Sequence, residues 1–123
     1  KNPYVCGKLD DATTRGDTII IPPIAHLEIK RGFLCKPAPR QEVSYNIIIR
    51  NNPVSDLKLD TLECGAELYA ELHKRKLTVE DKDLLIAAFC LVEDCTLVTN
   101  NIKHFQHMPY LKIEDWSDPD ANN

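Results

Sequence analysis

One apolar run constrains the fold of this chain more than any other stretch of its sequence. Residues 84–92 read LLIAAFCLV, a run that is apolar on every side and in which Leu and Ala are prominent. This composition predicts a helix that is buried all round rather than laid on a surface. Three acids precede the run within four residues, namely Glu80, Asp81 and Asp83. An acidic N-terminus therefore leads directly into the predicted core.

A strand with polar residues at its end follows this helix. Residues 95–99, CTLVT, are rich in β-branched side chains, and the polar pair Asn100-Asn101 comes directly after them. In open α/β sheets, ligands bind outside the carboxyl ends of the strands. Residues 80–105 are therefore the predicted functional centre, on which other parts of the chain should converge.

Length and charge limit the class of protein. The chain has 123 residues, enough for one domain, and 43% of them are hydrophobic and 28% charged, as in an ordinary globular protein. The net charge of −4 gives no bulk attraction for nucleic acid, so a phosphate-bearing partner would need local basic patches or bound cations. No apolar run reaches the roughly 18 residues of a membrane span.

The two remaining global features concern the cell compartment and the chain start. The five cysteines are an odd number without a C-x-x-C pair, which favours reduced thiols in a cytoplasmic protein over disulfides or zinc. The first residue is Lys1, not Met, and there is no signal-peptide pattern. We therefore expect the chain to be a trimmed or partial version of something longer.

Strand-like and helix-like segments alternate along the chain. A buried strand is predicted at 17–21, a helix at 23–33 with Glu28 beside its apolar stripe, and a short edge strand at 111–114. Residues 40–51 are read as a helix, although Ile47-Ile48-Ile49 alone would suggest a strand. This alternation predicts a three-layer α/β domain with a mostly parallel sheet, and a frayed tail at 116–123.

A long helix is predicted between the two halves of the chain. Residues 57–59 read as a short extended piece, after which Asp60 or Thr61 can cap a helix that runs to Lys76. The residues that we expect to face inward share apolar character. They are Leu62, Ala66, Tyr69, Ala70 and Leu72.

Acids on separate elements that meet at one edge suggest a site for a hard cation. Glu28, Asp83 and Asn101 carry carboxylate and amide oxygens, which suit Mg²⁺ or Mn²⁺, and Thr99 can orient a water or a carboxylate. Acids also occur at helix N-termini simply because they cap the helix and complement its dipole. The residues alone leave both interpretations open.

A family resemblance favours the metal site. Three segments, IAHLEIKRGF, KDLLIAAFCLVEDCTLVTNNIKHF and MPYLKIEDW, occur in an order that resembles the PIN-domain ribonucleases, most closely the VapC-type toxins of toxin–antitoxin pairs. The matching motifs are an E-L-x-x-G-like segment at 27–32, D-x-x-I-A-A at 83–88, L-V-T-x-[ND] at 97–101 and, at 111–116, the L-x-[IL]-x-x-W part of a closing G-L-x-[IL]-x-x-W. Together they cover nearly the whole chain, from the strand at Ile19 to Trp116.

The resemblance implies a PIN fold and RNA cleavage that depends on a divalent cation. It places Glu28, Asp83 and Asn101 at the metal, Mg²⁺ or Mn²⁺, and gives Thr99 a supporting role. It also implies a homodimer and silencing by a small antitoxin protein. Two departures from the pattern stand out. The family's first strand, which ends in Asp-Thr-Asn, has no match in residues 1–16, and His104 stands where many relatives carry an acid.

The sequence therefore predicts a single PIN domain over residues 1–123, with a three-layer α/β/α architecture and an N-terminal strand missing from this chain. The predicted function is an Mg²⁺- or Mn²⁺-dependent endoribonuclease, the toxin of a toxin–antitoxin pair. Two alternatives remain open. One is a catalytically inactive PIN-like scaffold that binds RNA or protein, and the other is a PIN nuclease that acts in RNA processing.

Overall fold

Five helices and two short strands make up the part of the protein that the structure, a computed structural model, describes, residues 19–115. The helices are α1 (Pro23–Cys35), α2 (Pro39–Asn51), α3 (Leu59–Lys74), α4 (Asp81–Val92) and α5 (Ile102–Phe105). The strands are β1 (Leu97–Val98) and β2 (Ile113–Glu114). Both α1 and α2 begin at a proline, whose fixed φ suits the first helical position.

The two strands pair in parallel. Leu97 lies opposite Ile113 and Val98 opposite Glu114, and the ladder continues with a hydrogen bond of 3.0 Å from the Thr99 N–H to the Glu114 carbonyl. A separate parallel bridge joins Ile21 to Val54. The predicted strand at 17–21 is thus reduced to this one bridge over its described residues, and the predicted strands at 95–99 and 111–114 are present but shorter. This mixture of helices and parallel pairing agrees with the predicted α/β class.

The core is built around α4. Ala87 and Ala88 are fully buried, Phe89 is 2% exposed, and Leu68 and Leu72 of α3 belong to the same apolar core. The prediction that the run at 84–92 forms a buried helix is therefore confirmed. Because α3 packs along α4, the position of α4 is fixed by apolar contacts over most of its length.

The face of α3 that packs inward differs from the prediction. Its buried residues are Thr61, Gly65, Leu68 and Leu72, so of the expected inward residues only Leu72 is buried. The other four, Leu62, Ala66, Tyr69 and Ala70, are exposed.

Close helix packing explains this difference. A Cβ atom added at Gly65 would lie only 3.8 Å from the Ala88 Cβ and 3.9 Å from the Leu85 Cδ2. The two helices thus approach each other through small side chains, as tight packing of their ridges requires. The contact between α3 and α4 thus includes small residues that an apolar pattern alone does not identify.

Several predicted helix ends were also wrong. α3 begins at Leu59 without a side-chain cap, so neither Asp60 nor Thr61 is its cap, and Leu59 is not extended. Asp60 instead lies in the first turn, where a negative charge complements the helix dipole. α3 ends at Lys74 because Lys76 has a φ of 58°, a left-handed conformation that stops a helix. α1 extends two residues past its predicted end, and residues 39–51 are helical, which excludes the strand alternative.

Some predictions concern parts of the chain outside the described residues. These are the N-terminal segment 1–18, the strand expected before it, the frayed tail at 116–123 and the match at Trp116. Within residues 19–115, no helix is both long enough and apolar enough to cross a membrane.

Candidate active site

The first turn of α4 places Asp83 at the edge of the core. Asp83 is the third residue of the helix and is buried, although Glu80 and Asp81 beside it are exposed. Glu80, not Asp83, is the residue that flanks the start of the helix, and its side chain makes no capping hydrogen bond. Asp83 therefore does not act as the N-cap. Its carboxylate faces inward near the positive end of the helix dipole.

α5 brings a histidine to Asp83. The Nδ1 atom of His104 lies 3.2 Å from the Oδ2 atom of Asp83, a distance at which an Nδ1–H donates a hydrogen bond to the carboxylate. The His104 side chain is half exposed, whereas the neighbouring Phe105 is buried and fixes α5 against the core. His104, which departs from the family pattern where many relatives carry an acid, is therefore in contact with the candidate site.

α1 brings Glu28 to the same turn of α4 through Lys82. The Nζ atom of Lys82 lies 3.4 Å from the Oε2 atom of Glu28 and 3.7 Å from the Oε2 atom of Glu80. The hydrogen bond to Glu28 raises the pKa of Lys82, and the negative charges of Glu28, Glu80 and Asp83 raise it further. A single ammonium group thus stands among three carboxylates from two helices and the residue before α4.

Thr99 and Asn101 lie in the connection between β1 and α5, but they make different contacts from those expected. The Thr99 Oγ1 atom accepts a hydrogen bond of 3.0 Å from the backbone N–H of Asn101, so Thr99 shapes this turn. The Asn101 side chain is exposed and forms no hydrogen bond with the described residues. Its backbone carbonyl accepts a hydrogen bond from the N–H of His104, which makes Asn101 the start of the turn that delivers His104.

The arrangement can be tested for its fit to a hard divalent cation. Among residues 19–115, no group of three or more His, Cys, Asp or Glu side chains is arranged to hold a metal ion. Two carboxylates do lie near this turn of α4, since Glu28 pairs with Lys82 and Asp83 pairs with His104, and the charge of Asp83 also acts on Lys82. Mg²⁺ is usually bound by one or two carboxylates, with water and substrate phosphate completing its shell. The oxygen donors therefore fit such an ion in number and in kind.

A cleft opens beside Asp83. Its volume is about 410 Å³, and its apolar floor includes Leu77 and Met108. Asp83 and His104 form one part of its wall, and Lys103 and His107 also line it. The candidate site is thus not a flat edge but one wall of a concave surface, as binding sites usually are.

Lys82 is a functional candidate that the sequence reasoning missed, and His104 was noted only as a departure from the family pattern. Lys82 stands between Asp81 and Asp83 in the sequence, so its charge was bound to lie near at least one acid. His104 is three residues past Asn101, within one helical turn of a predicted site residue. Neither residue was predicted to be part of the site, because a lone basic residue is usually solvated.

Comparisons with known proteins give a consistent result. No family model matches the chain. It is 32% identical over 103 residues to "Ribonuclease VapC2" of Rickettsia felis, which covers 83% of this chain and 77% of that protein.

Solved structures of similar fold extend the comparison. A chain of the crystal structure of VapBC2 from Rickettsia felis, bound to a DNA fragment from their promoter, superposes with a TM-score of 0.78 at 32% identity, covering 89% of this chain and 83% of that chain. VapBC-1 from nontypeable Haemophilus influenzae gives a TM-score of 0.78 at 20% identity, over 94% of this chain and 87% of that chain. DNA-bound VapBC from Salmonella typhimurium gives a TM-score of 0.79 at 24% identity, over 93% of this chain and 85% of that chain. The last two show the shared fold alone.

Proposed function

The chain belongs to the VapC ribonuclease family, and from this premise we propose that it is an endoribonuclease that acts as the toxin of a toxin–antitoxin pair. Its reaction is hydrolysis of RNA phosphodiester bonds. The name of the Rickettsia felis relative, Ribonuclease VapC2, states the same substrate class, which is RNA.

One observation of the structure carries the proposal. Glu28 of α1 forms an ion pair with Lys82, the neighbour of Asp83 in the first turn of α4, and Asp83 itself lines a cleft, although Glu28 and Asp83 are far apart in the chain. Folding thus brings acids from two helices to the N-terminal turn of α4. Acids gathered in this way can hold a divalent cation, and such a cation offsets their repulsion of an anionic RNA substrate.

The residues have distinct roles in the proposed reaction. Asp83, Glu28 and the amide oxygen of Asn101 would hold Mg²⁺ or Mn²⁺, which supplies Lewis acidity and an activated water when it is bound. His104 orients the Asp83 carboxylate through its hydrogen bond. Thr99 fixes the turn from which Asn101 and His104 project. α4, held by the core, keeps the Asp83 carboxylate at a constant position.

The partners and the compartment follow from the same premise. We propose an antitoxin protein as the inhibitor and a homodimer as the active assembly, and the likeness to VapBC2 supports the first of these. We place the protein in the cytoplasm, where its RNA substrate is found. The free thiols of Cys35, Cys64, Cys90 and Cys95 suit that reducing compartment.

One observation favours a second candidate, a PIN-like scaffold without catalytic activity. The two candidate acids already have partners in Lys82 and His104, and the described residues lack a three-group metal cluster. A site whose charges are satisfied internally can bind a ligand without metal chemistry. The two candidates differ in one measurable property, which is cleavage.

The experiment that tests the proposal measures cleavage of RNA by the full chain in the presence of Mg²⁺ or Mn²⁺. Asp83→Asn should lower kcat/KM about 100-fold or more, since it removes a charge that acts directly in the reaction. Asp60→Asn is the matched control, because Asp60 is also an acid in the first turn of a helix but is exposed on α3. It should cleave like the unchanged chain, and EDTA should abolish cleavage by both.

Two results would contradict this assignment. Equal cleavage by Asp83→Asn and the unchanged chain would show that Asp83 is not in the site. Absence of cleavage by every variant under both metals would favour the scaffold. If the chain is a nuclease, growth arrest on expression that a co-expressed antitoxin relieves separates a toxin from an RNA-processing enzyme.

A further inference from the structure

The cleft beside Asp83 is lined by residues that the proposed chemistry does not use. We propose that it binds one nucleotide of the RNA strand, next to the phosphodiester that is cleaved, with the base and ribose on its apolar floor and a phosphate at Lys103 and His107. This inference rests on the proposed function, which supplies the RNA substrate. It adds to that function a specific subsite and the residues that form it.

The shape and the floor of the cleft suit a nucleoside. Its volume of about 410 Å³ lies within the range of roughly 300–1,000 Å³ that is usual for small-ligand sites. Met108 is buried in its floor, and Leu77 and Val79 pack against the core there. A planar base can contact these side chains through its faces, as bases do on apolar and aromatic surfaces of other RNA-binding proteins.

The rim of the cleft carries two basic side chains. Lys103 and His107 line it, and neither side chain forms an ion pair or a hydrogen bond within residues 19–115. The overall charge of the chain is −4, so an anionic strand needs a local basic patch of this kind.

The backbone around His107 is held in place. The Nη1 atom of Arg75 donates a hydrogen bond of 3.4 Å to the carbonyl of His107, and the N–H of Met108 donates one of 3.0 Å to the carbonyl of Phe105. These bonds tie the segment after α5 to the end of α3 and to the core. The cationic rim is therefore attached to the same rigid frame as Asp83.

The position of Asp83 determines which nucleotide the cleft would take. Asp83 and Glu80 belong to its wall on the α4 side, whereas Lys103 and His107 come from α5 and the segment after it. A nucleotide in the cleft would therefore have its neighbouring phosphodiester at the carboxylates and its other phosphate at Lys103 and His107. This alternation of charge matches a strand that passes through the site and is cut at Asp83.

The test measures RNA binding separately from cleavage. The probe is a fluorescein-labelled oligoribonucleotide pool of random sequence, and its anisotropy is recorded with the full chain in EDTA, where no cleavage occurs. Lys103→Ala combined with His107→Ala should weaken binding about tenfold. The same pair should reduce the slope of log K against log salt by about 0.7 for each phosphate that the protein no longer neutralises. The matched control combines Lys112→Ala with His73→Ala, which removes the same two side-chain types outside the cleft and should bind like the unchanged chain.

A second measurement locates the strand directly. The same pool with 4-thiouridine, irradiated and digested, should give crosslinks to the residues of the floor, around Leu77 to Val79 and Met108. Crosslinks elsewhere, or equal affinity and salt slope for the cleft variant and its control, would overturn the subsite. Affinity for a peptide that depends on Lys103 and His107, with RNA binding unchanged, would also overturn it and assign the cleft to a protein partner.

The failure of the subsite and the failure of the proposed function give different results. If the unchanged chain cleaves RNA and the cleft variant binds and cleaves equally well, the function stands and the subsite is wrong. If the unchanged chain does not cleave but its crosslinks map to the floor, the subsite stands and the catalytic function is wrong.

Discussion

The two ends of α4 lie in two different environments. Toward its C-terminal end, Ala87, Ala88 and Phe89 are at most 2% exposed and pack into the apolar core with α3. At its N-terminal end, Asp83 faces a half-exposed histidine, and Lys82 is shared between carboxylates near the surface. The first environment is held together by apolar contacts, and the second by charge.

This difference shows how the site obtains a fixed geometry without contributing much to stability. Exposed ion pairs contribute little to the free energy of unfolding, because water and salt screen them. Burial of apolar surface contributes far more and fixes the backbone of the whole helix. The acidic end can therefore exchange its partners for a ligand while the buried end keeps Asp83 in position.

The largest expected effect is a loss of stability on changing the buried end of α4. Phe89→Ala should lower the free energy of unfolding by about 3–5 kcal/mol, because it removes a buried ring and leaves a cavity in the core. Urea denaturation followed by circular dichroism measures this loss. Leu34→Ala is the control, since Leu34 is also an apolar helix residue but is 81% exposed, and its change should stay within about 0.5 kcal/mol. Equal losses for the two variants would show that the core does not lie at α4.

The core of the fold was predictable where local composition was sufficient. α4 was predicted correctly because an apolar run without polar interruption is expected to be buried in the interior. The inward face of α3 was not found, because it depends on how closely two helices approach. Thr61 and Gly65 are poor hydrophobic signals, yet both are buried, and Gly65 lies beside Ala88 and Leu85 of α4.

The candidate site was predictable only in part, for a related physical reason. Glu28 and Asp83 were proposed from motifs, and in the structure Glu28 pairs with Lys82, the residue before Asp83. The contact between His104 and Asp83 depends on how the segment after β1 folds back, which no local pattern specifies. Asn101 was proposed as a ligand, and its exposed side chain leaves that role a prediction.

The next effect is a dependence of the free energy of unfolding on pH, which arises at the buried end of α4. Burial raises the pKa of the Cys90 thiol from 9.0 to about 12, with a smaller contribution from Cys95. The unfolded chain therefore loses this proton at lower pH than the folded chain, and between these two values it binds fewer protons. The free energy of unfolding should fall as pH rises through this window, by up to about 1 kcal/mol for each pH unit.

Cys90→Ala separates this effect from other alkaline changes. Urea denaturation at a series of pH values, under reducing conditions, should show a shallower alkaline decline for Cys90→Ala than for the unchanged chain. Cys35→Ala is the control, because Cys35 is exposed, and it should keep the original decline. If the decline is the same with and without Cys90, then its thiol is not buried in the folded protein.

The smallest expected effect tests whether the charges at the acidic end can change partners. Lys82→Gln removes the cation that Glu28 and Glu80 share, so Mn²⁺ should bind about three times more tightly, because it no longer competes with an ammonium group. Isothermal titration of the full chain with Mn²⁺ measures this change, with Lys112→Gln as a control that removes a lysine paired with Asp94 on the surface. Weaker Mn²⁺ binding by Lys82→Gln would mean that Lys82 holds Glu28 in place for the ion. The acidic end would then be preformed like the buried end, and the contrast between the two ends of α4 would disappear.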